Sequence, residues 1–249
     1  MMNDKKNALI LAAGLGTRLK PLTDTMPKAL VPVNGKPLLF HLIERLKNDG
    51  FTEMVVNVHH FASQIIDYVN NNNSFDINLK ISDESDMLLD TGGAIKKAAT
   101  LFGNDAPILI HNVDIFHNLN LNDVYRQYAF CADAVLIVSD RVTSRYLLFN
   151  EDNRLVGWMN LKTGEVKSPY AEVIANPAAY NRFAFSGIHI FSHSLLKPMS
   201  HWPQKFSVID FYLDVCKDFN IQGIFMENLK LLDVGKLDSI EEAEHFYKK

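Results

Sequence analysis

The chain has 249 residues, 47% of them apolar and 22% charged, which suits a globular protein with enough core to need no covalent staples. Its formal charge of −4 argues against a broad nucleic-acid surface, which would show clustered Lys and Arg. The two cysteines, Cys131 and Cys216, form no CxxC pair, which excludes a zinc knuckle and a dithiol redox motif.

The first apolar run, Ala8–Ala13, reads as a buried strand. It leads into glycines rather than a cleavage site, and no run approaches the ~18 apolar residues of a membrane span. A cytoplasmic protein is therefore expected. Prolines at 21, 27, 32 and 37 rule out a continuous helix across the next segment. Pro37–Asn48 is predicted as an amphipathic helix, with Leu38, Leu39, Leu42, Ile43 and Leu46 on one face. Strands are predicted at Met54–Val58, Ile77–Ile81 and Ile108–Val113, with helices at Ala62–Val69 and Gly93–Leu101 between them. This alternation implies parallel pairing, right-handed crossovers and a doubly wound sheet. A helix at Leu121–Phe130 and a strand at Ala134–Val138 follow. Tyr146–Phe149 and Leu155–Trp158 then form a hairpin around the turn Asn150–Asn153. Ala184–Phe191 is a strand, Asp210–Phe219 a helix, Ile221–Phe225 and Leu229–Asp233 late strands, and Ser239–Tyr247 a final helix. The hairpins break the strict alternation, so a mixed sheet is expected.

Leu11, Ala12, Ala13, Gly14, Leu15, Gly16, Thr17 and Arg18 directly follow the first predicted strand. Glycines let the backbone bend tightly and approach a ligand closely, and successive N–H groups in such a loop form an anion nest. Open α/β sheets bind ligands at the carboxyl ends of strands, and Arg18 adds a charge suited to phosphate oxygens. The pattern is not a P-loop, and a dinucleotide fingerprint would need a third glycine where Leu19 stands. Taken alone, the glycine pair is equally compatible with a plain turn. The irregular run continues to Gly35, and a long irregular segment inside a compact domain is usually functional. It can present Lys28 toward the same phosphates as Arg18.

Gly92 and Gly93 precede a predicted helix, so the backbone there can lie against a flat ligand. Asp90 or Thr91 can also cap that helix. Asp114 and Asp233 each end an apolar run, where a carboxylate is costly unless paired or bound to metal. A turn former is the plainer reading of Asp114. His59 and His60 lack a third His or Cys at ligand spacing, which leaves loop-end structure or a substrate-side contact.

The run from Leu11 to Leu38 resembles the signature of the sugar-1-phosphate nucleotidyltransferases, or nucleotide-sugar pyrophosphorylases. The resemblance implies a Rossmann-like, doubly wound α/β fold with a mixed, mainly parallel sheet of the GT-A-like kind. It implies one compact domain over 1–249, with a nucleotide-binding half at about 1–120 and a sugar-phosphate half at about 121–249. By the same resemblance, the loop of Leu11, Ala12, Ala13, Gly14, Gly16 and Thr17 wraps the triphosphate, and Arg18 and Lys28 are the catalytic cations. Gly92 and Gly93 lie along the nucleobase and ribose, Asn112 belongs to the nucleotide site, and Asp114 and Asp233 hold Mg²⁺. Val113 stands where the family usually has glycine, which makes the local turn less certain.

In the sugar half, the family's Glu-Lys-Pro is missing. Asn160 and Lys162 are its best substitutes, and Gly187, within Phe185–His189, matches a sugar-contacting strand. This departure resembles the branch of N-acetylmuramate-1-phosphate uridylyltransferases and some mannose- or heptose-1-phosphate guanylyltransferases. The implied reaction transfers a nucleoside monophosphate from an NTP to a sugar 1-phosphate, with Mg²⁺ as cofactor. The implied partners are those two substrates, with no nucleic acid or membrane, in a monomer or small homo-oligomer. Two other readings stay open. A choline-phosphate cytidylyltransferase shares a similar N-terminal signature but needs a cage for the quaternary ammonium. A nucleotide-binding regulatory protein without catalysis fits less well with the retained Arg18, Lys28, Asp114 and Asp233.

Overall fold

The computed structural model describes residues 5–246. The first half runs β1 (Asn7–Leu11), the ribbon β2 (Pro32–Val33) and β3 (Lys36–Pro37), α1 (Leu38–Asn48), β4 (Glu53–Val58), α2 (Ala62–Asn71), β5 (Asn78–Asp83), α3 (Asp90–Ala98) and β6 (Ile108–Asn112). The second continues with β7 (Ile115–His117), α4 (Leu121–Tyr128), β8 (Ala134–Ser139), β9 (Arg145–Phe149), β10 (Leu155–Asn160) and β11 (Val166–Lys167). It ends with α5 (Ala171–Ala175), β12 (Asn181–Phe191), α6 (Leu196–Met199), α7 (Val208–Val215), β13 (Ile221–Phe225), β14 (Leu231–Asp233) and α8 (Asp238–His245). The expected last helix thus forms as α8, and Tyr247 lies outside the described residues.

β1 is the centre of a mixed sheet, flanked in parallel by β4 and β6, with β5 parallel to β4 at the edge. Both faces are covered, so its residues are mostly apolar, as buried parallel strands require, with Asn7, Glu53, Asn57 and His111 as buried polar exceptions. Ala8, Ile10, Met54 and Val56 join one core, which includes the α1 residues Leu38, Leu39, Leu42, Ile43 and Leu46. Leu9 and Val55 point the other way, into a core shared with Ile95 of α3 and Phe211 and Tyr212 of α7. Burying each such side chain stabilises the fold by about 1.5–3 kcal/mol.

The stop of α1 is encoded locally. Gly50 has φ +83°, a conformation a Cβ disfavours. The Gly50 and Phe51 amides donate to the Lys47 and Leu46 carbonyls at 3.0 and 2.9 Å, the paired bonds of a Schellman C-cap. Phe51 is then fully buried, which fixes the chain's entry into β4.

The antiparallel half hinges on β12. Its end pairs with β6 and β8, and its beginning pairs with β9. The register with β8 shifts between Phe185 and His189, where Gly187 takes φ +80°. β9 and β10 form the expected hairpin. Two elements depart from expectation. α3 begins at Asp90, so Gly92 and Gly93 lie inside the helix, not before it. The seventh helix ends at Val215, short of Phe219. Among the described residues no helix is long and apolar enough to cross a membrane.

Three histidines are sealed into the sheet: His111 on β6, His117 on β7 and His189 on β12. The His111 and His117 rings lie 5.1 Å apart, and neither nitrogen of His189 has a hydrogen-bond partner. Burial holds His111 down to about 4 and His189 down to about 3, and holds His117 well below its ordinary value. The unfolded rings protonate near pH 6.5, so below that pH the unfolded state binds protons that the folded state refuses. Stability is therefore full above pH 6.5. It is expected to fall by about 1.4 kcal/mol per pH unit for each such ring as pH drops toward about 4. Urea midpoints measured from pH 7.5 to 4.5 check this, and a flat profile would mean that the rings are hydrated in the folded state.

Candidate active site

The glycine loop is anchored before it reaches any cleft. The Ala12 and Ala13 amides donate to Asn57 Oδ1 at 2.6 and 3.3 Å. Asn57 Nδ2 donates to Glu84 Oε1 at 2.8 Å, and Glu84 Oε2 accepts from the Leu89 amide at 3.1 Å. Glu84 is 2% exposed, and burial raises its carboxyl above the ordinary range. The expected anion nest therefore does not begin at Ala12, because those amides are already used. Ala13 and Gly14 do line the cleft.

Gly16 is required twice. Its φ is +64°, and a Cβ there would stand 2.8 Å from Thr23 Cγ2. Its carbonyl accepts from Thr23 Oγ1 at 2.9 Å. Thr17 then opens a 3-10 turn that carries Arg18. Pro27 starts another 3-10 turn, whose first residue is Lys28.

The two acids converge through β7 and β14. These strands pair antiparallel with Asp233 opposite Ile115, and the Val234 amide donates to the Asp114 carbonyl at 2.8 Å. Lys28 forms an ion pair with Asp114, and Arg18 lies 3.5 Å from Asp233. Burial raises the Asp233 carboxyl above its ordinary value, the neighbouring Asp114 charge raises it further, and Arg18 opposes both. Asp233 Oδ1 is buried without a hydrogen-bond partner. Val113 is buried in the core, and its amide donates to the Leu11 carbonyl at 3.1 Å, so the larger residue leaves Asp114 in place.

This donor set fits a hard divalent cation. Mg²⁺ takes one or two carboxylates and completes its shell with substrate phosphates and water. The orphaned Asp233 oxygen beside Asp114 is such a donor. Among the described residues no group of three or more His, Cys, Asp or Glu could hold a metal alone, so the remaining ligands would come from substrate and water. His59 is bonded to the Glu84 carbonyl at 2.7 Å, and His60 packs on Phe61 with ring centroids 4.1 Å apart. Neither lines the cleft.

The cleft at Lys28 and Asp114 measures about 490 Å³ and is lined also by Leu11, Gly14 and Asn112, with Thr91 and Lys205 among the other lining residues, whereas Arg18 and Asp233 stand beside it as partners outside the lining. Lys205 lies in an irregular segment that no pattern marks. Gly92 and Gly93 are buried in α3. A Cβ on Gly92 would enter the Phe206 ring, and one on Gly93 would strike the Gln204 backbone. Their missing side chains serve helix packing against residues 204–206, which corrects the flat-ligand reading of that pair. Gly187 lies against Asn112, where a Cβ would stand 2.7 Å from Asn112 Nδ2.

Asn160 and Lys162 fall elsewhere than expected. They form the turn after β10, where Asn160 Oδ1 accepts from the Lys162 amide at 3.0 Å, and neither lines the cleft. A second cavity of about 360 Å³ is lined by residues of the second half of the chain. It is lined by Lys167, Arg141 and Arg145 rather than Lys162. Lys167 stands opposite Trp158 in the β10–β11 ladder, one residue type that spacing from the family motif did not single out.

Comparison with known proteins bears on the whole arrangement. Over 116 residues the chain is 42% identical to the N-acetylmuramate alpha-1-phosphate uridylyltransferase of Caulobacter vibrioides, covering 46% of this chain and 48% of that protein. Over 228 residues it is 29% identical to the mannose-1-phosphate guanyltransferase of Hypocrea jecorina, covering 88% of this chain and 59% of that protein. The chain spans about half the length of the curated uridylyltransferases it matches. The crystal structure of HddC from Yersinia pseudotuberculosis superposes with a TM-score of 0.75 over 97% of this chain and 99% of that one. At 22% identity that likeness speaks to fold alone. The family model described as Nucleotidyl transferase matches residues 7–249. That match covers every element from β1 onward, including the glycine loop and both acids, and the chain belongs to the nucleotidyl transferase family.

Proposed function

We propose that this chain transfers a nucleoside monophosphate from an NTP to a sugar 1-phosphate in a Mg²⁺-dependent reaction that releases pyrophosphate. The favoured pairings are UTP with N-acetylmuramate 1-phosphate, or GTP with mannose or heptose 1-phosphate. These are the chemistries printed in the names of the similar proteins. The observation that carries the reading is the meeting of Asp114 and Asp233 beside Lys28 and Arg18 at the mouth of the glycine loop.

The chemical problem is to join two anions. A phosphate oxygen of the sugar 1-phosphate attacks the α-phosphorus, the bond from that phosphorus to the bridging oxygen breaks, and pyrophosphate carries the electron pair away. Such transfers need little covalent help from the protein, so positioning and charge neutralisation dominate. Asp114 and Asp233 would hold Mg²⁺, which supplies charge neutralisation between the α-phosphate and the incoming phosphate. Lys28, 12% exposed at its side chain, stabilises charge that develops on the α-phosphate. Arg18, half exposed at 54%, and the loop around Gly14 and Gly16 hold the β- and γ-phosphates. Each cation exchanges its present carboxylate partner for phosphate oxygens when the substrates and metal arrive. Asn112 lines the nucleotide cleft, and Gly187, on the sugar-contacting strand, packs against it.

A pyrophosphate-release assay with UTP or GTP and sugar 1-phosphates tests the reading. Release is expected to require Mg²⁺ and to stop with EDTA. Turnover of phosphocholine in place of every sugar 1-phosphate would move the chain to a different acceptor class. In the same assay, Arg18→Ala and Asp114→Ala are each expected to lower kcat by at least ~100-fold, the scale for losing a major electrostatic group. Near-normal turnover with an unchanged circular-dichroism spectrum would remove the assigned role.

A further inference from the structure

The second cavity is lined by more cations than anions. Its charged lining is Arg141, Arg145 and Lys167 against a single acid, Asp210. Lys167 is already bonded to Asp210 at 3.0 Å and sits 5.4 Å over the Trp158 ring. Among the described residues neither Arg141 nor Arg145 is ion-paired. Among the described residues Arg141 donates only to the Phe185 carbonyl, at 3.4 Å. Two guanidinium groups thus face one cavity without an anion, and their fork geometry matches a carboxylate. The other walls are aromatic and hydroxylic, from Trp158, Phe185, Tyr146, Thr143 and Ser207, which suits a pyranose ring with apolar C–H faces and hydroxyls.

The reacting phosphate must sit at Asp114 and Asp233. Asp114 lines the first cavity, and the two cavities share no lining residue. They are nevertheless neighbours. Thr91 lines the first, and its Oγ1 accepts at 2.9 Å from the amide of Val208, between Ser207 and Ile209 of the second. Asn112 lines the first and packs against Gly187, two residues along β12 from Phe185 in the second. A sugar bridging them would carry its anomeric phosphate into one cavity and a different part of the ring into the other.

We propose that the acceptor is a sugar 1-phosphate bearing a second acidic group, a carboxylate remote from the anomeric phosphate, and that Arg141 and Arg145 bind that carboxylate. This rests on the transferase reading above and narrows it to acidic sugars. Neutral hexose and heptose 1-phosphates leave the two arginines without a partner, and the cavity discriminates against them.

The test compares N-acetylmuramate 1-phosphate with N-acetylglucosamine 1-phosphate, which lacks the lactyl carboxylate, in the pyrophosphate-release assay with UTP and GTP in turn. The wild-type chain is expected to show at least a tenfold higher kcat/KM for the acidic acceptor. In the double variant Arg141→Ala/Arg145→Ala that ratio is expected to fall toward one. Equal wild-type rates on the two acceptors would overturn the proposal while leaving the transferase reading intact, and this comparison needs no variant to fold. A preference for the acid that survives in the folded double variant would overturn the assignment to these arginines. A loss that is the same for both acceptors would mean that they hold the shared phosphate, and would overturn it too. Absence of pyrophosphate release with every sugar 1-phosphate would remove the transferase reading, and the acidic-sugar inference with it.

Discussion

Two carboxylates cannot share a half-buried pocket as bare anions, and the architecture around Asp114 and Asp233 follows from that repulsion. The short β7–β14 ladder forces them together, and Asp233 feels the neighbour as a raised proton affinity. Lys28 and Arg18 offset the repulsion in the structure as it stands. The four groups come from three stretches of chain, the run that carries Arg18 and Lys28, the turn after β6 and the end of β14, so no single local motif assembles them. Such a cluster stabilises the fold little by itself, since desolvation cancels much of the attraction in a buried pair. Its value, on the function proposed above, lies in holding charges of both signs at one point beside the cleft.

The sheet supplies the frame for that meeting. Parallel β1, β4 and β6 bring their carboxyl ends to one edge, where Leu11, Asn57 and Asn112 all line the cleft. The antiparallel half then sets the second cavity beside it, through the long strand β12 and its shift at Gly187. A glycine at that shift lets Asn112 approach the backbone, and a side chain would push the two halves apart.

Much of this was legible before any coordinates. The apolar periodicity of α1 and the continuous runs of β1, β4 and β6 report burial directly, and those elements form within a residue or two of their expected bounds. β7 was invisible because three residues are too few to carry a period, and only its pairing with β14 defines it. The convergence of the two acids could therefore be expected only through family resemblance. Gly92 and Gly93 illustrate a different limit. Paired glycines signal that something approaches the backbone closely, yet not what approaches, and here it is Phe206 and Gln204. Lys162 failed for a geometric reason. The motif spacing carried the lysine into the turn after β10, while the ladder presents Lys167 beside Trp158. Glu84 and Lys205 left no trace in the sequence, since each acts through contacts distant along the chain.

The chain of bonds from Ala12 and Ala13 through Asn57 and Glu84 to Leu89 ties the base of the glycine loop to the start of α3. Ordering a loop costs conformational entropy whenever it occurs. Here that cost falls at folding, before any ligand arrives, and the proposed triphosphate would meet a surface already in shape. The loop's rigidity is thus inherited from a carboxylate buried two strands away.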